Sequence, residues 1–367
     1  MNDRLLDALV DICGPDFARA ARSIDEVGGS RARYVAVPAT SQAVADVLRL
    51  AAGEGLSVVP RGSGSKIDWG TPRSGPDLIV DTGRLNGLWD HDVAGQTVEV
   101  ATGTPVRSLQ AALALRGQRL PVDPPSRTAT VGGMLAVNES GPLRYRFGTP
   151  AEHVDRVSYV DLTGRIAESD GEGDRPGLAE ITGVLTSAVV RLRPTPAERR
   201  WVTRDIASPL QAATLAGEAA GHEVSAVEAD LPGDGRGAIS ALFEDADPRS
   251  LAEAWGVPVA PVAPRWWGRY PFGRDDVALR LAVSPAHLAA TVYALSDALG
   301  SPVPVRGSAG IGNVVAVLPG SLPAERLEQI METVRHVLMA RGGRAVLMSA
   351  PVELASRVDM AAPHELF

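Results

Sequence analysis

The chain has 367 residues, of which 45% are hydrophobic and 22% charged, so it can bury a substantial core without disulfide bonds. The formal net charge of −8 argues against a broad binding surface for nucleic acid or for an anionic membrane. The single cysteine, Cys13, excludes an internal disulfide and a cysteine-based zinc site, which fits a cytoplasmic protein. We expect no signal peptide and no integral membrane segment, because the N-terminus is charged and no run of 18 apolar residues occurs.

Apolar periodicity and turn residues predict a strand-rich first half of the chain. Helices are predicted at 3–21, at 41–54 with Ser41 as N-cap, and at 104–117 with Thr104 as cap and Pro105 at the first position. Strands are predicted at 56–60, 77–82, 96–103 and 181–194, and a hairpin at 154–167 with its turn at Thr163-Gly164.

A second region begins near Thr195 and is predicted to form an antiparallel sheet with helices on one face. Its strands are expected at 223–230, 237–243, 277–283, 313–318 and 344–348, and its helices at 208–220, 285–299 and 323–341. Because strands and helices do not alternate regularly in the first half, we assign the α+β class.

The segment VVPRGSGSKIDWG (58–70) is a polar, glycine-rich loop that follows a predicted strand. Gly62 and Gly64 allow the backbone to approach a ligand, and successive amides in such a loop form a nest for an anion such as a pyrophosphate. The side chains of Ser63, Ser65 and Lys66 could add hydrogen-bond donors for such an anion. Position 67 is Ile67, so the dinucleotide fingerprint G-x-G-x-x-G is absent. On glycine content alone, a tight surface turn explains the loop equally well.

A second glycine segment, LPVDPPSRTATVGGMLAVNESGPLRYRFGT, runs from Leu120 to Thr149. Small residues around Gly132-Gly133 allow a planar ring to lie against the backbone, whose amides can meet the polar edge of a heterocycle. The alternative is a loop-rich connection with surface arginines.

With these two segments the chain resembles the FAD-binding oxidoreductases whose flavin domain is shared by vanillyl-alcohol oxidase and p-cresol methylhydroxylase. Within that family it resembles the FAD-binding subunit of glycolate oxidase. The resemblance rests on three collinear stretches, YVAVPATSQAVADVLRLAAGEGLSVVPRGSGSKIDWG, LPVDPPSRTATVGGMLAVNESGPLRYRFGTPAEHVDRVSYVDLTGRIA and ITGVLTSAVVRLRPTP. It implies a PCMH-type FAD-binding domain of two α+β subdomains at 34–196. With the periodicity above, we expect an N-terminal helical segment at 1–33 and an α+β cap domain with an antiparallel sheet at 197–367.

The resemblance also implies where FAD would bind. The first loop would hold the pyrophosphate, the second segment would lie along the flavin and its ribityl chain, and Val184 would be on the strand that closes the adenosine side. The predicted cofactor-binding residues are Pro60, Arg61, Gly62, Ser63, Gly64, Ser65, Pro124, Thr130, Gly132, Gly133, Asn138, Ser140, Gly141 and Val184. Covalent flavoproteins of this group often carry a histidine in the first loop; residues 61–66 contain none, so FAD is expected to be noncovalent.

Two features depart from the family pattern. Relatives have a longer insert after the strand VSYVDLTGRIA, whereas here a short linker, 168–180, joins Ala167 to Ile181. Its five acidic residues are Glu168, Asp170, Glu172, Asp174 and Glu180. Carboxylates are unfavourable beside a pyrophosphate. We therefore expect the isolated chain to bind FAD weakly, unless a partner subunit supplies the side of the cofactor pocket that the longer insert would form. The chain also stops at PHELF, so we expect the cap domain to be truncated at its C-terminus.

The sequence identifies no catalytic residue and predicts no metal site, because none of the six histidines has a metal-ligand spacing. His153 is a candidate acid or base, or else a surface or helix-capping histidine. An aromatic cluster either lines a substrate or partner surface or packs at a domain interface. Arginines interleaved with this cluster either bind a carboxylate substrate or are solvated. The aromatic cluster consists of Trp266, Trp267, Tyr270 and Phe272, and the interleaved arginines are Arg265, Arg269 and Arg274.

Two functions remain open. The first is an FAD-dependent oxidoreductase, or its FAD-binding subunit, that oxidises a small 2-hydroxy acid such as glycolate or lactate, or a related alcohol. Its partners would be that substrate and other oxidoreductase subunits. The alternative is a degenerate, non-catalytic relative that acts as a partner subunit and binds FAD weakly or not at all.

Overall fold

The computed structural model describes residues 4–70, 75–170 and 177–360. Within these residues the chain divides into two compact units. The first unit runs to Glu139 and also contains Thr149–Thr195, and the second contains Ser140–Gly148 and the residues from Pro196 onward. No helix in the described ranges is long and apolar enough to cross a bilayer.

Thirteen strands and four α-helices are described in the first unit. The strands are β1 Ala18–Ala20, β2 Glu26–Val27, β3 Ser30–Arg31, β4 Tyr34–Ala36, β5 Val58–Arg61, β6 Leu78–Asp81, β7 Leu88–Asp92, β8 Thr97–Ala101, β9 Gln118–Arg119, β10 Val154–Asp161, β11 Ile166–Ser169, β12 Gly183–Arg191 and β13 Arg193–Pro194. The helices are α1 Arg4–Cys13, α2 Ser41–Gly53, α3 Val106–Ala114 and α4 Val131–Val137.

Two sheets organise this unit. The first has the order β1-β4-β6-β5, in which β6 pairs in parallel with β4 and β5 while β1 is antiparallel. The second has the order β11-β10-β12-β8-β7 and is antiparallel throughout. One apolar core packs α1 and α2 on the first sheet, and another packs α3 and α4 on the second. The predicted hairpin is confirmed as β10 and β11, which pair around the Thr163-Gly164 turn.

In the second unit, eight strands form one antiparallel sheet, in the order β17-β14-β16-β15-β19-β20-β18-β21. The strands are β14 Arg199–Ile206, β15 Ala226–Leu231, β16 Gly237–Glu244, β17 Val259–Ala260, β18 Asp276–Ala282, β19 Val305–Ser308, β20 Asn313–Pro319 and β21 Arg344–Ser349. The helices are α5 Arg144–Phe147, α6 Pro209–Ala219, α7 Arg249–Trp255, α8 Pro285–Leu299, α9 Ala324–Met339 and α10 Val352–Ala355. The α+β class and the antiparallel sheet are therefore confirmed.

Side chains alternate between the two faces of this sheet, as strand geometry requires. Val202, Ala241 and Val227 are aligned across three strands and join the core beneath the helices α6 to α10. Their neighbours Trp201 and Leu242 point to the opposite face. The prediction that the helices cover one face holds for α6 to α10, while the short α5 packs on the other face.

Three local predictions were wrong. The first helix ends at Cys13 rather than at residue 21, because Gly14 adopts φ +97° and Pro15 follows it. The N-cap of α2 is Thr40 rather than Ser41, since Thr40 Oγ1 accepts a hydrogen bond from the Ala43 amide. Thr104 does not cap α3, because Pro105 precedes the first helical residue and Thr104 Oγ1 accepts from the Gly87 amide.

Candidate cofactor site

The first glycine loop leaves β5 and exposes a run of unused amides. Gly64 adopts φ +73°, a left-handed conformation that favours glycine. Within the described residues, the amides of Gly62, Ser63, Gly64 and Ser65 donate no hydrogen bond. Consecutive free amides in a loop are suited to binding an anion, so the structure supports the nest interpretation over a plain surface turn.

Arg61 begins this loop, but its guanidinium is occupied by two carboxylates. It contacts Asp25 at 2.9 Å and Asp81 at 2.9 Å. Asp25 is 1% exposed and also binds Arg19 at 2.6 Å. Burial alone would raise the pKa of Asp25, but hydrogen bonds from Arg19, the Arg22 amide and Arg61 outweigh burial and hold that pKa well below its usual range. Arg61 therefore holds the loop to β6 and to Asp25.

The second segment lies directly against the loop. Thr130 is the N-cap of α4 and its Oγ1 accepts a hydrogen bond from the Gly133 amide at 3.1 Å. A Cβ added at Gly62 would overlap Thr130 Oγ1 and lie 3.1 Å from Thr130 Cγ2. Gly132 is equally confined, since its Cβ would lie 2.8 Å from the Cβ of Thr102. Both glycines are needed for the close approach of backbone segments.

The amides at the start of α4 are already used inside the unit. The Val131 amide donates to the Thr104 carbonyl, the Gly132 amide to the Thr102 carbonyl, and the Gly133 amide to Thr130. Any contact of these residues with a cofactor would therefore come from their Cα surface and carbonyl groups, and the donors of the site are concentrated in the first loop.

A buried ion pair joins the two segments, and its acidic member, Glu139, was not among the predicted site residues. Lys66 Nζ lies 2.6 Å from Glu139 Oε2, with side-chain exposures of 6% and 0%. Glu139 Oε1 also accepts a hydrogen bond from the Ser126 amide at 3.0 Å. One acidic residue among the small residues that follow Gly132-Gly133 was the only signal of this pair in the sequence.

The remaining predicted residues are more dispersed. Pro124 is half-buried in the loop that precedes α4. Asn138 ends α4 at φ +54°, and its Oδ1 accepts from the Ala151 amide. The Val184 side chain is buried in the core beneath α2, so only its backbone is available to a ligand. Ser140 and Gly141 belong to the second unit.

The short linker is only partly described. Glu168 is on β11 and interacts with Arg156 and Ser158, and Glu180 accepts from the Gly177 amide. Glu172 and Asp174 lie outside the described residues.

Two further candidates are now located. His153, at the end of a 3₁₀ helix (Pro150–His153), is 7% exposed, so its interpretation as a surface histidine was wrong. In the second unit, Trp267 packs edge-to-face on Trp201 with ring centroids 6.3 Å apart, beside Leu143 and Leu242. This part of the aromatic cluster is apolar packing within the second unit.

Residues 32–170 match the family described as "FAD binding domain". An uncharacterized FAD-linked oxidoreductase of Mycobacterium tuberculosis is 31% identical over 38% of this chain and 30% of its own length. D-lactate dehydrogenase of Archaeoglobus fulgidus is 26% identical over 44% of this chain and 38% of its own. Glycolate oxidase subunit GlcE of Escherichia coli is 29% identical over 45% of this chain and 51% of its own. The matches thus span about a third to a half of these relatives.

A solved structure of alkyldihydroxyacetonephosphate synthase superimposes with a TM-score of 0.72 and 16% sequence identity. The match covers 94% of this chain and 80% of the other. At this identity the similarity concerns the fold. It supports the fold predicted from the sequence, and the domain match places an FAD-binding domain within residues 32–170.

Proposed function

We propose that this chain, whose residues 32–170 form an FAD-binding domain, is an FAD-dependent oxidoreductase or the FAD-binding subunit of one. The observation that carries the proposal is the run of amides at Gly62–Ser65 inside that domain that donate to no other described residue. The substrate we propose is a small 2-hydroxy acid such as glycolate or lactate, or a related alcohol. The names of the relatives, a D-lactate dehydrogenase and a glycolate oxidase subunit, support this class.

The residues of the first unit fit a dinucleotide. The amides of Gly62–Ser65 would bind the pyrophosphate, and the surface of Thr130–Gly133 would lie along the rest of the cofactor. Bound FAD supplies the acceptor for a hydride from the substrate carbon, while the protein supplies binding and orientation. Since no histidine occurs at 61–66, we propose that FAD is held without a covalent bond.

A cluster of arginines in the second unit supports a carboxylate as part of the substrate. Arg280 of β18 is 6% exposed and lies on the sheet face opposite α6 to α10. Arg344 of β21 is on the same face, because it pairs with Ala282, two residues along from Arg280. Burial, followed by the charges of Arg144 and Arg344, lowers the pKa of Arg280 to about 10. A guanidinium of this cluster could donate two parallel N–H bonds to a bound carboxylate.

The alternative function is a non-catalytic partner subunit that keeps the fold. The short acidic linker at 168–180 supports it, because the family resemblance implies a longer insert there. In both cases we propose a cytoplasmic protein that assembles with other oxidoreductase subunits, as the name of the relative, glycolate oxidase subunit GlcE, suggests for that protein.

The visible absorption spectrum of the purified chain tests the two functions. Bands of oxidised flavin, combined with reduction of a dye that depends on glycolate or lactate, are expected for the oxidoreductase. A chain that takes up no FAD even when the cofactor is added in excess would overturn the first function and favour the second.

A further inference from the structure

Lys66 is the only lysine among the 36 lysine and arginine residues of the chain. A sequence that otherwise uses arginine for its basic side chains places its one ammonium group in the candidate cofactor loop, with 6% of the side chain exposed. Arginine is larger and planar, whereas an ammonium is a compact point charge with three N–H donors. The position therefore suits a small cation in a confined space.

The hydrogen bonds of Lys66 leave one donor available. Nζ donates to Glu139 Oε2 at 2.6 Å and to Ser65 Oγ at 3.1 Å. Within the described residues the third N–H has no partner. Lys66 directly follows the Gly62–Ser65 loop, whose amides also donate no hydrogen bond in the part of the chain that the structure describes. Four amides and one ammonium N–H are thus available along five consecutive residues, an arrangement suited to the negative charge of a pyrophosphate.

Stability alone does not explain why the pair is buried. Removing two charges from water is so unfavourable that a buried ion pair is often no more stable than two well-packed apolar side chains. Glu139 is completely buried and is fixed by the Ser126 amide, so it can hold the ammonium in one place. The geometry is that expected when Lys66 binds a ligand and Glu139 holds the Lys66 ammonium in position.

We propose that Lys66 is a cofactor-binding cation whose third N–H donates to an anionic oxygen of FAD, and that Glu139 is the residue that positions it. The inference rests on the proposed function, since it takes FAD as the ligand of the loop. It adds Glu139, and it makes Lys66, first considered only as one possible donor of the loop, part of a lysine–glutamate pair that acts as one unit.

The test compares two variants that carry the same change at Glu139. Lys66→Met alone would leave a buried carboxylate unpaired and could prevent folding, so it is not used. Glu139→Gln is the reference, because it keeps nearly the same side-chain volume and its single amide oxygen can still accept from Lys66 or from the Ser126 amide. The double variant Lys66→Met/Glu139→Gln removes the ammonium as well. The difference between the two therefore reports the contribution of Lys66.

The dissociation constant for FAD is measured by titration of the flavin-free proteins, and thermal unfolding without FAD is measured in parallel. We expect the double variant to bind FAD about tenfold to a hundredfold more weakly than Glu139→Gln, as for the loss of one charged hydrogen bond. Their unfolding temperatures should be similar. Equal FAD affinities of the two variants, beside a wild type that binds FAD, would overturn the inference alone. A wild type that binds no FAD would overturn the proposed function and the inference together.

Discussion

Gly62 and Thr130 lie so close together that no side chain fits between them, because a Cβ at Gly62 would overlap the hydroxyl that caps α4. We therefore expect Gly62→Ala to push Thr130 away from the Gly133 amide and to lower the free energy of unfolding by about 2 kcal/mol. FAD affinity should fall as well, since the loop would move relative to the second segment. Urea denaturation and FAD titration measure the two effects.

Gly53→Ala is the matched control for this substitution. Gly53 is the last residue of α2, and a Cβ there would meet nothing within 4 Å. Alanine should be neutral or slightly stabilising at that site, because it favours the helix more than glycine does. If Gly62→Ala were as stable as Gly53→Ala, the close packing of the loop on Thr130 would be of no energetic importance.

Gly64 provides a test of the loop as an anion site. We expect Gly64→Asp to abolish FAD binding, because it places a negative charge where the pyrophosphate would approach the amides. Gly64→Asn is the control, since asparagine has nearly the same shape and both residues tolerate the φ of +73° found here. Calorimetric titration with FAD should show much weaker binding for the aspartate variant than for the asparagine variant. Similar affinities for the two would remove the loop from the site.

The buried Asp25 should make stability depend on acid pH. Its pKa in the folded protein lies below the ordinary value of about 3.9, so the stabilisation is present above that value and is lost as the pH falls toward the folded pKa. The free energy of unfolding of wild type should exceed that of Asp25→Asn by a constant amount at neutral pH. We expect the difference to shrink below a pH of about 4, as measured by urea denaturation at a series of pH values.

Asp247→Asn is the control for this pH dependence. Hydrogen bonds from the Arg249 side chain and amide lower the pKa of Asp247, but both side chains of this pair are exposed. Solvent screening makes such pairs of little consequence for stability. The unfolding curves of Asp247→Asn should therefore follow those of wild type at every pH. A pH-independent difference between wild type and Asp25→Asn would contradict the assignment of Asp25 as the ionised centre of the Arg19–Arg61 cluster.

The parts of the fold that the sequence predicted are those with local causes. The helix at 41–54, the hairpin at 154–167 and the strands of the second unit follow from the alternation of apolar residues and from turn residues within a few positions. The end of the first helix was missed although Gly14 and Pro15 are both stop signals, because the apolar pattern was extended past them.

The candidate site was predicted less completely, because its interactions join residues far apart in the chain. Lys66 and Glu139 are 73 positions apart, and Arg61 and Asp25 are 36 apart. No local pattern shows which carboxylate will meet which cation once the strands are assembled. The loop residues were found through the family resemblance, and their contacts with FAD remain predictions.

The last prediction concerns Arg280 as the carboxylate ligand of the second unit. Arg280 is 6% exposed, and burial, followed by the charges of Arg144 and Arg344, lowers its pKa to about 10. A guanidinium can bind a carboxylate through two parallel N–H donors. We therefore expect Arg280→Met to weaken binding of oxalate, a dicarboxylate that resembles a 2-hydroxy acid, to the flavin-free chain, as measured by calorimetric titration.

Arg265→Met tests whether the carboxylate binds at Arg280 or at the arginines interleaved with the aromatic cluster. Arg265 is exposed and was one of three arginines that the sequence offered as carboxylate ligands. If Arg280 is the ligand, Arg265→Met should leave the oxalate affinity unchanged. The pattern reverses if the aromatic segment binds the substrate, because oxalate affinity would then fall in Arg265→Met and persist in Arg280→Met. Both measurements use the chain without FAD, so they test carboxylate binding in the second unit independently of cofactor binding in the first.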